Sequence, residues 1–249
     1  MKLAELTWKD VASVDRECVV VIPTGALEQH GPALPLETDA RIVTAVAEAV
    51  DELLGEKMLL LPTLWLGISP GHLAFHGTLT LSPEAYSGAI EGCIRSLIPC
   101  GFWKFYLLNG HGGNTYANGM VLRKLKTEFP NLCLCHCEYY GLIVEEIASI
   151  LTGADRRMTH GAEAEASLML HLAPGLVKTS LMRDDGLHSE PSVQGLVTNF
   201  NEISSEGSFG AGSEASADKG KALLEAAAAK VAQQVGALAD GIVFTSASE

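Results

Sequence analysis

The sequence has no long apolar run. Its most hydrophobic stretches are broken by Gly, Pro or His well before the roughly 20 residues needed to span a bilayer. The opening MKLAELTWKDVASVDRE carries charges throughout, unlike the apolar run of a secretory signal. Basic residues are scarce: 17 Lys and Arg stand against 30 Asp and Glu, a net charge of −13. That balance excludes a general nucleic-acid binder or an anionic-membrane binder, because phosphates would be repelled. Cysteines are not paired at metal-ribbon spacing. The six include no CxxC, which leaves no basis for a zinc ribbon or a thioredoxin-like redox site. Cys133, Cys135 and Cys137 alternate on one face of an expected strand, as reduced core thiols. These absences predict a cytoplasmic protein.

What is present suits a folded core. Of 249 residues 47% are hydrophobic and 19% charged, which excludes disorder and fits one domain over residues 1–249. Apolar runs alternate with amphipathic stretches. Strands are expected at Cys18–Ile22, Lys57–Leu61, Lys104–Leu108 and Leu132–Cys137. Helices are expected at Asp39–Leu54, Pro83–Pro99 (opened by Ser82 before proline), Thr115–Thr127, Glu163–Leu172 and about Ser216–Leu238. This order predicts an α/β fold, a mostly parallel sheet flanked by helices on both faces. Residues 178–215, rich in Gly, Ser, Asn and Asp, read as an excursion of the kind that reaches over functional sites. Trp65 and Trp103 are expected in the core.

Three polar clusters follow the expected strands, where doubly wound sheets gather their ligands. The first is PTGALEQHGPALPLETDAR, with Glu28, His30 and Asp39. Glu28 and His30 are two apart, so an extended segment turns both to one side. Asp39 opens a helix. The second is the turn NGHGGN, in which His111 is flanked by glycines that let another group approach closely. A phosphate-binding turn is the rival reading, but neither GxxxxGK[ST] nor GxGxxG is present. The third is MTHGAEAEASLML, with His160, Glu163 and Glu165. Together, Glu28, His30, Asp39 and His111 offer oxygen and nitrogen donors suited to zinc or manganese. His72 and His76, in SPGHLAFHGTLT, could contact a substrate or serve only as hydrogen-bonded loop residues. His136, His171 and His188 carry no motif and read as core or surface residues.

The ordered set GALEQHGPALPLETD, GHLAFHGTLTL, NGHGGN and HGAEAEASLML resembles the creatininase (creatinine amidohydrolase) family. The resemblance implies a metal-dependent hydrolase, often hexameric, acting on a small molecule. It implies two divalent ions, zinc or manganese with iron as a further option. It assigns Glu28, His30, Asp39 and His111 as ligands, with Asp39 bridging, Glu28 and His111 on one ion and His30 on the other. It also places His160 and Glu163 at the active-site rim. Creatininase proper has a glutamate ligand two places after the histidine of its glycine turn, where this chain has Gly113. Ala33 and Glu37 likewise replace residues that are commonly His and Gly.

The expected chemistry is cleavage of a C–N bond in a small linear or cyclic amide by a metal-bound water, with Glu163 or His160 passing the proton. Two alternatives stand beside it: hydrolysis of a C–C bond in a cyclic polyhydroxy ketone, and a non-catalytic metal-binding subunit. Glu163 is expected to fill the ligand position that Gly113 leaves empty. Glu165, about 200° away around the helix, is expected to point elsewhere.

Overall fold

A computed structural model describes residues 1–185 and 196–241; the reading of His188 lies outside them. Strands β1 (Val19–Thr24), β2 (Met58–Leu60), β3 (Lys104–Asn109) and β4 (Cys133–Glu138) form one sheet in the order β2-β1-β3-β4. Every pairing in it is parallel. The helices are α1 (Trp8–Ser13), α2 (Thr38–Leu54), α3 (Pro83–Leu97), α4 (Thr115–Glu128), α5 (Val144–Ile150), α6 (Glu163–Leu172), α7 (Phe200–Ile203) and α8 (Ala217–Asp240). The expected α/β class and its four strands are present, each within two residues of its expected start.

Side-chain alternation along the strands divides the core. Val19, Val21, Met58, Leu60, Tyr106 and Leu108 face α2, α6 and α8, while Val20, Ile22, Leu59, Phe105 and Leu107 face α3 and α4. Both faces are covered, as a parallel sheet requires. The helix expected to run to Pro99 ends at Leu97 and tightens into a 3-10 turn. Proline in the next turn removes a backbone donor. The helices α1 and α5 carry too few periodic residues to stand out in the sequence.

Two core expectations are corrected. Trp65 is half-exposed, and Trp103 is only half-buried, its indole N–H donating to Glu17. Cys133, Cys135 and Cys137 are free and half-buried, because among the described residues no strand pairs with the outer side of β4. The excursion after Lys178 holds a two-residue ribbon, β5 (Asp184–Asp185) with β6 (Gly210–Ala211), and the short helix α7.

Helix α8 crosses α6 at close range. A methyl group at Gly220 would lie 1.9 Å from the Ser167 carbonyl oxygen, so only glycine permits this approach. Ser216, which caps α8, also donates its backbone N–H to Ser167 Oγ at 3.1 Å. Gly220→Ala should therefore cost about 2–3 kcal/mol and lower the melting temperature by roughly 5–10 °C. Gly236→Ala, with Leu54 Cδ2 at 3.7 Å, should be neutral or stabilising. Thermal unfolding of the two variants beside the wild type measures both.

Candidate functional site

The three polar clusters meet at the carboxyl end of β1 and β3. Asn109, the last residue of β3, accepts the His111 N–H (3.2 Å) and donates to the His111 carbonyl (2.7 Å), closing the glycine turn. Asn114 donates to the Gly25 carbonyl (3.0 Å) and accepts the Ile68 N–H (3.0 Å), tying that turn to the loops after β1 and β2. These two asparagines give NGHGGN its shape.

The histidines around the centre follow one rule. His30 Nδ1 lies 3.0 Å from the Glu28 carbonyl oxygen, His111 Nε2 lies 3.0 Å from that of Ile68, and His160 Nε2 lies 2.7 Å from that of Gln29. A carbonyl oxygen only accepts, so each of these nitrogens carries the proton. The other nitrogen of each ring, a lone pair in the neutral imidazole, then faces carboxylate oxygens. His30 Nε2 is 3.0 Å from Asp39 Oδ1 and 3.7 Å from Glu165 Oε2. His111 Nδ1 is 3.0 Å from Asp39 Oδ2 and 3.4 Å from Glu28 Oε1. His160 Nδ1 is 3.6 Å from Glu28 Oε1. Glu28, His30, Asp39, His111 and Glu165 are all buried, and Glu28 Oε2 and Asp39 Oδ2 make no hydrogen bond. Lone pairs facing carboxylates in a buried pocket demand positive charge.

Without a metal ion, that charge is protons. Burial works against a charged His30, yet Asp39, Glu165 and Glu28 raise its pKa to about 10. His111 rises to about 9 against the same penalty, through Glu28 and Asp39. Burial alone would raise Asp39, but the two imidazoles hold it well below the carboxylate range. Burial pushes Glu165 up to about 7 and also raises Glu28. His160 and His72 move the other way: burial and the nearby His30 keep both neutral, His72 at about 4.

Among the described residues, three sets of side chains have donor atoms close enough to share a cation: Glu28, Asp39 and His111; His30, His160 and Glu165; and Glu28, His72 and His160. The structure thus brings together Glu28, His30, Asp39, His111 and His160. It does not bring Glu163 to them. Glu163 accepts the backbone N–H groups of Thr152 and Gly153, both at 2.9 Å, and pairs with Lys219 Nζ at 2.6 Å. The near-opposite directions of Glu163 and Glu165 on α6 are as expected, with Glu165 facing His30 and Glu163 facing Lys219. Lys219, more than fifty residues away on α8, decides which carboxylate turns outward, and nothing near residue 163 signals it.

Gly113 has its own cause. A Cβ there would lie 2.1 Å from the Ile68 carbonyl oxygen, the oxygen beside His111 Nε2. No side chain can enter there, while Glu165 of α6 places its Oε2 3.7 Å from His30 Nε2. Of the remaining histidines, His76 and His171 are exposed and His136 is half-buried away from the centre.

Residues the sequence did not single out complete the site. Gln29 bridges His72 and the Gly31 turn. Phe200, from the excursion, stacks on His72 with centroids 4.6 Å apart and lies 4.6 Å from the His160 ring. A Cβ at Gly207 would lie 2.1 Å from Gln29 Oε1, so the excursion packs directly against the site.

Because Glu163 joins α6, α8 and the loop at Thr152, its loss should be felt as stability. Burial opposes its ionisation, but Lys219 and the two N–H groups keep its pKa below the usual value. Glu163→Gln should cost about 2–4 kcal/mol, the cost of leaving one partner of a buried pair, and lower the melting temperature by roughly 5–15 °C. Thermal unfolding checks it.

A family model described as creatininase, creatinine amidohydrolase, matches residues 4–235. The mycofactocin precursor peptide peptidase of Mycobacterium tuberculosis is 34% identical over 172 residues, 66% of this chain and 62% of that protein. The chain thus spans less than two thirds of that relative's length. Creatinine amidohydrolase of Pseudomonas putida is 29% identical over 253 residues, covering 94% of this chain and 95% of the relative. A crystal structure of creatinine amidohydrolase superposes with a TM-score of 0.81 at 28% identity, over 94% of this chain and 96% of that one. Creatininase structures described as a zinc–zinc form and as a manganese form match at the same TM-score of 0.81. In sequence along nearly its whole length and in fold, the chain belongs to the creatininase family of hydrolases.

Proposed function

We propose that this chain is a metal-dependent hydrolase that cleaves the C–N bond of a small amide at a centre of two divalent ions, zinc or manganese. One observation carries the reading: three imidazoles, each donating its far N–H to a backbone carbonyl, aim lone pairs at three buried carboxylates. A carbonyl or carboxylate at the far nitrogen is the usual partner of a metal-binding histidine. The two carboxylate oxygens without hydrogen bonds, Glu28 Oε2 and Asp39 Oδ2, fit the same use.

In this reading Glu28, Asp39 and His111 would hold one ion. His30, with Asp39 Oδ1 at 3.0 Å and Glu165 Oε2 at 3.7 Å from its Nε2, would hold the other with those two carboxylates, leaving His160 of the His30, His160 and Glu165 set for proton transfer. Asp39 is the shared ligand, with one oxygen toward each imidazole. Three protein ligands on each ion match the usual catalytic zinc site. Divalent ions bound there supply Lewis acidity and make a coordinated water acidic enough to react near neutral pH.

The remaining work belongs to the protein. His160 Nδ1 is unprotonated and faces the centre, so it can take the proton released as the water adds to the amide carbon. It then delivers that proton to the departing nitrogen. The Gln29 carbonyl, holding Nε2–H, keeps the accepting nitrogen turned inward throughout. Phe200 covers one side of the neighbouring His72 and His160 rings. In this reading Glu163, assigned a proton-transfer or ligand role from the sequence, serves instead to hold Lys219 and the Thr152 loop, its contacts there favouring that use.

Elemental analysis of gently purified protein should find two transition-metal ions per chain, and chelation should abolish turnover. A screen of lactams, formamides, short peptides and oxidised inositols identifies the substrate. Glu165→Gln should lose one ion, whereas Glu163→Gln should keep both. Ion binding must displace the protons of His30 and His111, whose metal-free pKa values of about 10 and about 9 lie above neutrality. Affinity should therefore rise with pH between 6 and 8, by about tenfold per pH unit for each proton released. Calorimetric titration in buffers of different ionisation enthalpy measures that release, and pH-independent binding would sink the assignment. Assembly as a homo-hexamer is expected on family grounds; light scattering showing only a 26.3 kDa species would contradict it.

A further inference from the structure

His72 is wired in the opposite sense to the other three histidines. Its Nδ1 lies 2.9 Å from Gln29 Nε2. The orientation of that amide is settled by Gln29 Oε1, which accepts the Gly31 N–H at 2.9 Å. A backbone N–H only donates, so the amide oxygen must sit there and the amide nitrogen must face His72. Gln29 therefore donates to His72 Nδ1, and the proton of the neutral ring resides on Nε2. Phe200 stacks on the ring at 27° between planes and fixes its tilt.

The resulting Nε2–H points toward the acidic centre with no acceptor of its own. Among the described residues it makes no hydrogen bond, and the carboxylate oxygen it faces, Glu28 Oε2, is 3.7 Å away. That is too far for a hydrogen bond. A nitrogen carrying a proton offers no lone pair to a cation, so the set Glu28, His72 and His160 is not a third metal position despite its spacing. A donor without a partner, beside a reactive centre and slightly open to solvent, is instead placed for a ligand.

We propose that His72, oriented by Gln29 and Phe200, is a hydrogen-bond donor to the reacting oxygen of the substrate. It would select substrates whose scissile group presents an oxygen acceptor on the Glu28 side of the centre. Such a donor gains strength as negative charge develops on that oxygen, and it needs no reorganisation to do so. The Gln29 side chain is then a positioning group that sets the tautomer of His72, with its amide nitrogen also 3.1 Å from His160 Nε2. The proposal rests on the reading that the centre holds divalent ions.

The experiment uses zinc-loaded full-length protein and acetohydroxamate, a carbonyl probe that binds metal centres. His72→Ala should keep its full zinc content and bind the probe about tenfold more weakly, the usual loss for one hydrogen bond to a polar ligand. His72→Gln, whose amide can donate, should recover part of that affinity. Gln29→Glu replaces the donor with an acceptor of the same shape, which moves the His72 proton to Nδ1 and should weaken the probe to a similar degree. Histidine-selective 15N spectra read the tautomer directly: Nε2 protonated in the wild type and Nδ1 protonated in Gln29→Glu. Loss of zinc in His72→Ala would make His72 a ligand and overturn the proposal. Unchanged probe affinity in both His72→Ala and Gln29→Glu, or a wild-type ring protonated at Nδ1, would overturn it as well. Wild-type protein that takes up no zinc overturns the metal reading first and this one with it, a result distinct from the others.

Discussion

The organising constraint of this molecule is electrostatic: three buried carboxylates face the open nitrogens of three imidazoles. In a buried site such an arrangement needs positive charge between the partners, whether protons or metal ions. The surrounding backbone is arranged around that need. Carbonyls of Glu28, Ile68 and Gln29 occupy the far nitrogens and prevent the rings from turning around. Asn114 of the glycine turn accepts the Ile68 N–H and so fixes the residue whose carbonyl holds His111, and the approach of that carbonyl in turn requires glycine at 113. A histidine among glycines is therefore a geometric requirement on two sides at once.

The fold delivers these groups from four places in the chain. β1 and β3 are neighbours in the sheet, so the loops that leave them carry Glu28 and His111 to the same end. The first turn of α2 adds Asp39, and that of α6 adds Glu165. The close α6–α8 crossing at Gly220 and the Glu163–Lys219 pair fix α6 in place, so stability and site geometry meet at one helix. Glu163 acts here as a fastening, and Glu165, two residues on, faces the centre.

Much of this was legible in the sequence. The strand runs and the Ser82-Pro83 helix start are local signals, and local signals foretold the sheet to within two residues. The motif carboxylates and histidines were legible because their residue types and order are unusual together. That Glu165 and not Glu163 faces His30 was not, since the direction of Glu163 depends on a lysine brought in by α8. Gln29 escaped notice because an amide between two more conspicuous residues has no chemistry until its two hydrogen-bond partners are known. Phe200 was hidden for a similar reason: the excursion was expected over the site, but no pattern within it says which residue lands on which ring. The half-buried state of Trp65 and the β4 cysteines shows that hydrophobic character indicates preference for the core, while sheet position decides access to it.

The account stands or falls on what fills the gap between the carboxylates and the imidazoles. Anomalous diffraction at the zinc and manganese absorption edges, from crystals of protein purified without chelators, addresses it directly. The account predicts two anomalous peaks per chain, one among Glu28, Asp39 and His111 and one among His30, Asp39 and Glu165, with His72 outside both. Absence of anomalous density, even after soaking with either metal, together with hydrogen bonds from protonated His30 and His111 to Asp39, would contradict it.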